Sequence, residues 1–97
     1  MMKKSNYLSF VITEDMINAG LKGNLLVVYA YVEYKSNHSN IGSYRAGLNE
    51  MSKVLKLTQV TVYNVVNKLI ADGFIKKDYY YDEIGTKRCI LTPIYDD

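Results

Sequence analysis

The sequence predicts an α+β fold in which helices come first and a C-terminal two-stranded antiparallel ribbon follows. Three observations carry this expectation. Apolar residues recur at spacings of three and four up to about residue 72; beyond Gly73 they change to the alternation of strands; and the 97 residues include one proline, Pro93, with no repeat or low-complexity tract to mark a linker. A single domain over residues 1–97 follows, with an economical core because so short a chain exposes much of its surface.

Taken in order, residues 7–12 read as a short extended piece. Thr13 followed by Glu14 and Asp15 reads as an N-cap with acids in a first turn, opening a brief helix through Met16 and Ile17. Gly20 and Gly23 bracket its end. Asn24 is expected to cap a second helix over residues 24–34, where Leu25, Val28, Tyr29 and Val32 fall at helical spacing; apolar nearly all round, it belongs at the centre of the core. Residues 35–43 collect turn formers and read as a surface loop.

Leu48, Met51, Val54 and Leu55 then describe a short amphipathic helix that Leu57 closes. Thr58 opens the next, which runs to Asp72. On a wheel at about 100° per residue, Val62, Val65, Val66 and Leu69 share one side, opposite Val60, Asn64, Asn67 and Lys68. Gly73 ends it, as a residue without a Cβ commonly does. Residues 74–81 and 86–92 are the expected strands, joined by a hairpin loop over 82–85, and Pro93, which cannot donate to a ladder, ends the second.

Composition narrows the function classes. With 48% apolar and 23% charged residues the chain is an ordinary globular protein, neither disordered nor collagen-like. No apolar run approaches the roughly 20 residues that cross a bilayer, and the opening residues lack the cleavage pattern of a secretion signal, so a cytoplasmic protein with no membrane partner is expected. Cys89, the only cysteine, excludes an intrachain disulfide and fits a reducing compartment. His38, alone in a polar loop, has no companion ligand for a metal, and Cys89 reads as a small buried hydrophobe with no base beside it in sequence. The acid pairs Glu14–Asp15 and Asp82–Glu83 sit at a helix start and a turn, where acids are ordinary, and phosphate-cradling glycine loops are absent. No enzyme, cofactor or metal site is expected.

The net charge of +2 says little by itself, but its distribution is informative. Residues 51–71 carry Lys53, Lys56 and Lys68 and no acid, while all ten acids lie elsewhere.

Two short helices joined by a tight turn and followed at once by a hairpin is the element order of a winged helix-turn-helix domain. Met51-Ser52-Lys53-Val54-Leu55-Lys56-Leu57-Thr58 resembles the Leu-Ala-x-x-Leu-Gly-hydrophobic-Ser run of that superfamily. Thr61-Val62-Tyr63 through Leu69 and Gly73-Phe74-Ile75 is similar to its Thr-Val, Leu, Gly-Leu-Ile continuation, and Cys89-Ile90-Leu91-Thr92 resembles the second wing strand. The likeness covers residues 48–92 and implies a helix-turn-helix over about 47–72 and a wing over about 74–92. MarR-type and GntR-type regulators are similar over this core, and residues 7–12 with the 24–34 helix look like the N-terminal domains of plasmid replication initiators and phage replisome organisers.

The resemblance implies a site-specific protein for double-stranded DNA, working as a homodimer because one short domain makes few base contacts. The 58–72 helix would enter the major groove. Gln59 and Asn64, with Asn67 third, suit the adenine edge; Val60 suits a thymine methyl; Thr61, Tyr63 and Lys68 suit phosphates; and Thr58 sets where the helix begins. Lys53, Lys56 and the pair Lys76–Lys77 would meet phosphates, and the wing would bring Lys87 and Arg88 toward the minor groove. With no arginine on the helix, an A·T-leaning site is expected.

Two departures qualify the likeness. Lys56 stands where the superfamily commonly has glycine, which requires either a turn of negative φ or some strain, and Asp82 and Glu83 near the wing tip oppose deep insertion between phosphates. For Tyr79-Tyr80-Tyr81 the expectation is that one or two rings pack inward while the others meet a partner, with stacking on bases as the sharper reading. Regulation of transcription and a replication or partition role for a plasmid or phage stay open, as does, from another class, a protein-interaction module using the tyrosine-rich wing.

Overall fold

A computed structural model describes residues 11–94. The described chain is α+β, with four helices and one three-stranded antiparallel sheet in the order α1(Glu14–Asn18), α2(Gly23–Asn37), β1(Tyr44–Ala46), α3(Leu48–Leu55), α4(Gln59–Ala71), β2(Ile75–Tyr81) and β3(Lys87–Pro93). Of the expected extended piece at 7–12, residues 7–10 lie outside the described residues, and Val11 and Ile12 are exposed and irregular.

Thr13 caps α1 as expected: its hydroxyl accepts from the Met16 amide at 3.2 Å. Asn24 does not cap α2. That helix begins at Gly23, whose φ of 58° costs glycine little, so the backbone makes the turn into the helix and Asn24 lies in its first turn. At its other end α2 outruns its expected close at 34 by three residues. Ser36 and Asn37 are turn formers by preference, yet Ser36 is buried and the Tyr34 and His38 rings lie 4.4 Å apart at a 39° tilt, so packing holds this turn helical.

The larger correction concerns the sheet. The ribbon is not two-stranded: Tyr44–Ala46, unassigned in sequence, pairs with β3 in the register Tyr44 opposite Leu91 and Ala46 opposite Cys89, giving the strand order β1-β3-β2. Three residues are too few to show a period, and only β3's free edge makes them a strand. The hairpin itself follows expectation within a residue at each end, with Ile75 opposite Pro93 and Tyr81 opposite Lys87.

The buried apolar residues form one cluster. Val28, Tyr31 and Val32 of α2, Val62 and Leu69 of α4, Ile75 of β2 and Leu91 of β3 are almost wholly excluded from solvent, so α2 is the central element against which helices and sheet both pack. α3 buries only Met51 in this cluster. Its position rests also on Glu50, which accepts from the Tyr31 hydroxyl at 2.9 Å and pairs with Lys35 at 3.5 Å. Burial and this acceptor push the Tyr31 phenol up to about 12, so it stays a donor.

The turn between α3 and α4 takes the strained alternative at Lys56, whose φ of 58° and ψ of 39° lie in the left-handed region. Ser52 holds it there: its carbonyl accepts from Lys56 and Leu57, and its hydroxyl donates to the Leu57 carbonyl at 2.6 Å. The far end of α4 closes with the Gly73 amide on the Ile70 carbonyl and the Phe74 amide on that of Leu69, the paired bonds of a Schellman motif, with Gly73 at φ 83°.

Two stability outcomes follow. Lys56→Gly removes a left-handed side chain and, net of the looser unfolded chain, should raise the unfolding free energy by about 0.5–1 kcal/mol in urea titrations. Leu69→Ala should lower it by about 2–4 kcal/mol, because the site is fully enclosed and cannot collapse cheaply.

Candidate nucleic-acid interface

The exposed surface of α4 follows from how the helix is anchored. Val62, Val66 and Leu69 are buried and Val65 is half-buried, so the opposite side must face outward. Val60, Asn64, Asn67 and Ala71 then fall within roughly 60° of arc, with Thr61 and Lys68 along one border and Gln59 and Tyr63 along the other. All are exposed except Thr61, which is half-buried. From Val60 to Asn67 this stripe runs about 10 Å, three base-pair steps of a duplex.

Thr58 caps the helix, its hydroxyl oxygen accepting from the Thr61 amide at 3.1 Å and lying 2.9 Å from the Thr61 hydroxyl. Both hydroxyls are thus spent mainly on defining the helix start. Gln59 Nε2 donates to Asn49 Oδ1 at 3.3 Å. An amide nitrogen carries two hydrogens, so this bond fixes the side chain while leaving its oxygen and one N–H for a base edge. Asn49 is exposed and adds an amide to the surface that sequence reasoning missed; nothing in the spacing of residues ten apart on different helices signals it.

The cations are distributed unevenly. Lys53 and Lys56 are exposed on α3 and the turn. Lys68 pairs with Asp72 one turn on, at 3.2 Å, an exposed pair of small worth that a phosphate can displace. On the hairpin, strand alternation separates two residues that sequence reasoning aimed together at one groove. Lys87 lies opposite Tyr81 on the face that further down the strands packs on the helices, whereas Arg88 lies opposite Tyr80 on the outer face. Arg88 is also engaged, its Nε donating to Asp82 Oδ2 at 3.0 Å. Lys76 is exposed beside Asp78 at 3.6 Å, and Lys77 is half-buried.

Asp82 organises the hairpin tip rather than projecting from it. Its carboxylate accepts from the amides of Thr86 at 2.9 Å and Ile84 at 3.1 Å as well as from Arg88. The Thr86 amide foremost, then Arg88, hold its pKa below the usual value of 3.8. The inward use of this charge reduces the repulsion expected of it; Glu83 remains exposed.

Of the three tyrosines in β2, Tyr80 is half-buried with Arg45 over its ring, while Tyr79 and Tyr81 are 54% and 70% exposed. No ring of this run enters the core. Cys89 is half-buried rather than enclosed, its sulfur 4.0 Å from the Ala46 carbonyl. Among the described residues no group of three or more His, Cys, Asp or Glu is placed to hold a metal ion, and no described helix is long and apolar enough to cross a membrane.

Comparison with protein-family models, curated proteins and solved structures finds no match to this chain.

Because the folded Asp82 has the lower pKa, its contribution to the hairpin tip is present above pH 3.8 and is lost as pH falls through the depressed value. The Ile84 and Thr86 amide shifts in NMR spectra should therefore titrate together with a midpoint below 3.8. A midpoint at or above that value contradicts the described tip.

Proposed function

We propose that this chain is a winged helix-turn-helix protein that binds double-stranded DNA at specific sites, with α4 in the major groove and α3 crossing the backbone. It does no chemistry of its own, works in the cytoplasm as a homodimer, and serves as a transcriptional regulator or as a replication or partition factor of a plasmid or phage. One observation carries the reading: α4, capped at both ends and anchored by three buried side chains, turns an acid-free face bearing Val60, Asn64 and Asn67 to solvent. A helix of this diameter fits the major groove, where amides read adenine and a small apolar group meets the thymine methyl.

The roles follow the geometry. Asn64 and Asn67 are central base readers and Gln59 a border reader oriented by Asn49. Tyr63, Lys68, Lys53 and Lys56 surround them and suit phosphates, which fix register without reading sequence. On the hairpin, Lys87 reaches the DNA by leaving the Tyr79 ring and Arg88 by leaving Asp82. Lacking arginine at its centre, the stripe favours A·T-rich sites.

Selection of bound duplexes from a random pool, followed by titration across salt concentrations, tests this. The parent should lose affinity steeply as salt rises. Lys68→Ala should reduce the log–log slope by about one unit, and Asn64→Ala should change the preferred base at one position at a cost of about 1–3 kcal/mol. Parental behaviour from both variants removes α4 as the reading helix. No duplex binding at low salt removes the duplex reading, to which a protein-binding module built on the tyrosine-rich hairpin is the alternative.

A further inference from the structure

The face of the β2–β3 hairpin that continues outward from the core carries an aromatic and cationic surface of which the α4 reading uses Lys87 alone. Antiparallel register puts Lys77, Tyr79 and Tyr81 of β2 on one face with Lys87 and Cys89 of β3. Tyr79 is flanked by two amines, Lys87 Nζ at 4.1 Å and Lys77 Nζ at 5.3 Å from the ring centroid. Tyr81 lies two residues on, roughly 7 Å along the strand, and is the more exposed of the pair.

Among the described residues no acid lies on this face of the two strands, and Glu83 is exposed in the loop beyond Tyr81. Asp78 lies on the other side, opposite Ile90, and Asp82 is turned into the tip by Arg88 and two amides. Ala46, opposite Cys89, runs directly into Gly47 and α3, so Tyr79 stands about two strand spacings, near 10 Å, from the start of the helix pair.

We propose that this face binds unpaired bases of single-stranded DNA, with Tyr79 and Tyr81 as stacking rings for neighbouring bases and Lys77 and Lys87 as contacts to the intervening phosphates. Charge and shape select this occupant. Two ammonium groups beside exposed rings, with no acid among them, complement a polyanion. In a duplex the base faces are covered by their neighbours, and only an unpaired strand presents a π-face together with a flanking phosphate. The spacing of rings along an extended β-strand suits the spread bases of an extended strand. The face lies outside the α4 stripe, so this inference stands independently of duplex reading by α4.

Fluorescence anisotropy with a labelled 20-nucleotide oligothymidine, which cannot pair with itself, tests it on the full chain at low salt. The parent should bind, Tyr79→Phe should bind within about twofold of the parent, and Tyr79→Leu should lose roughly tenfold to hundredfold. Thermal melts should show Tyr79→Leu as folded as the parent, since the residue is solvent-facing and leucine is tolerated on an edge strand. Asn64→Ala should leave oligothymidine binding unchanged. Binding of oligothymidine without duplex binding would retire the α4 reading and keep this one. Failure of the parent to bind oligothymidine, or parental affinity in Tyr79→Leu, would falsify the proposal, even with duplex binding intact.

Discussion

Everything the outer surface of α4 offers depends on the grip of its inner one. Val62, Val66 and Leu69 lie in the same buried cluster as Val28 and Val32 of α2, and a helix held at three such points cannot roll about its axis without exposing them. Rotation by a single residue would bring Thr61 or Tyr63 toward the core and leave a cavity where a valine or leucine had been. The polar stripe therefore has one orientation. Its ends are defined too, by the Thr58 hydroxyl at the start and the Schellman bonds to Gly73 and Phe74 at the close.

The partner helix is placed differently. α3 is short and contributes Met51 alone to the fully buried cluster, so polar contacts supplement what packing supplies. Glu50 receives the Tyr31 hydroxyl and Lys35 from α2, and hydrogen bonds to a charged group are stronger than neutral ones. Ser52 then turns the chain with its hydroxyl and carbonyl, holding Lys56 in a left-handed conformation that glycine would take more cheaply. The angle between α3 and α4 thus rests on a few named bonds. Asn49 reaches Gln59 across it, joining the two helices at the surface where a groove would be read.

In the hairpin, alternation governs function as strongly as packing does. Adjacent cations in sequence become cations on opposite faces, one beside exposed tyrosines and one tied to the loop through Asp82. The sheet has three strands because β1 closes one edge of β3, which leaves β2 as the edge that carries Tyr79 and Tyr81. Lys77 and Lys87 over the Tyr79 ring keep that edge charged, a common protection against unwanted strand pairing, and the same amines give it an affinity for anions.

What was legible in the sequence is what local physics decides. The 3.6-residue period of Val62, Val66 and Leu69, the Thr58 cap, the Gly73 stop, and the change to period two with turn residues at 82–85 each reside within a few neighbouring positions, so α4 and the hairpin were readable to within a residue or two. The exposure of Asn64 and Asn67 followed from that same period. Only the tertiary structure decided the rest. β1 is a strand because β3 has a free edge, the last turn of α2 is helical because Ser36 is enclosed, and Asn49 meets Gln59 because two helices cross. Such features are set by which surfaces meet across ten to fifty residues of chain, and the free energy that selects them appears only when both surfaces are present.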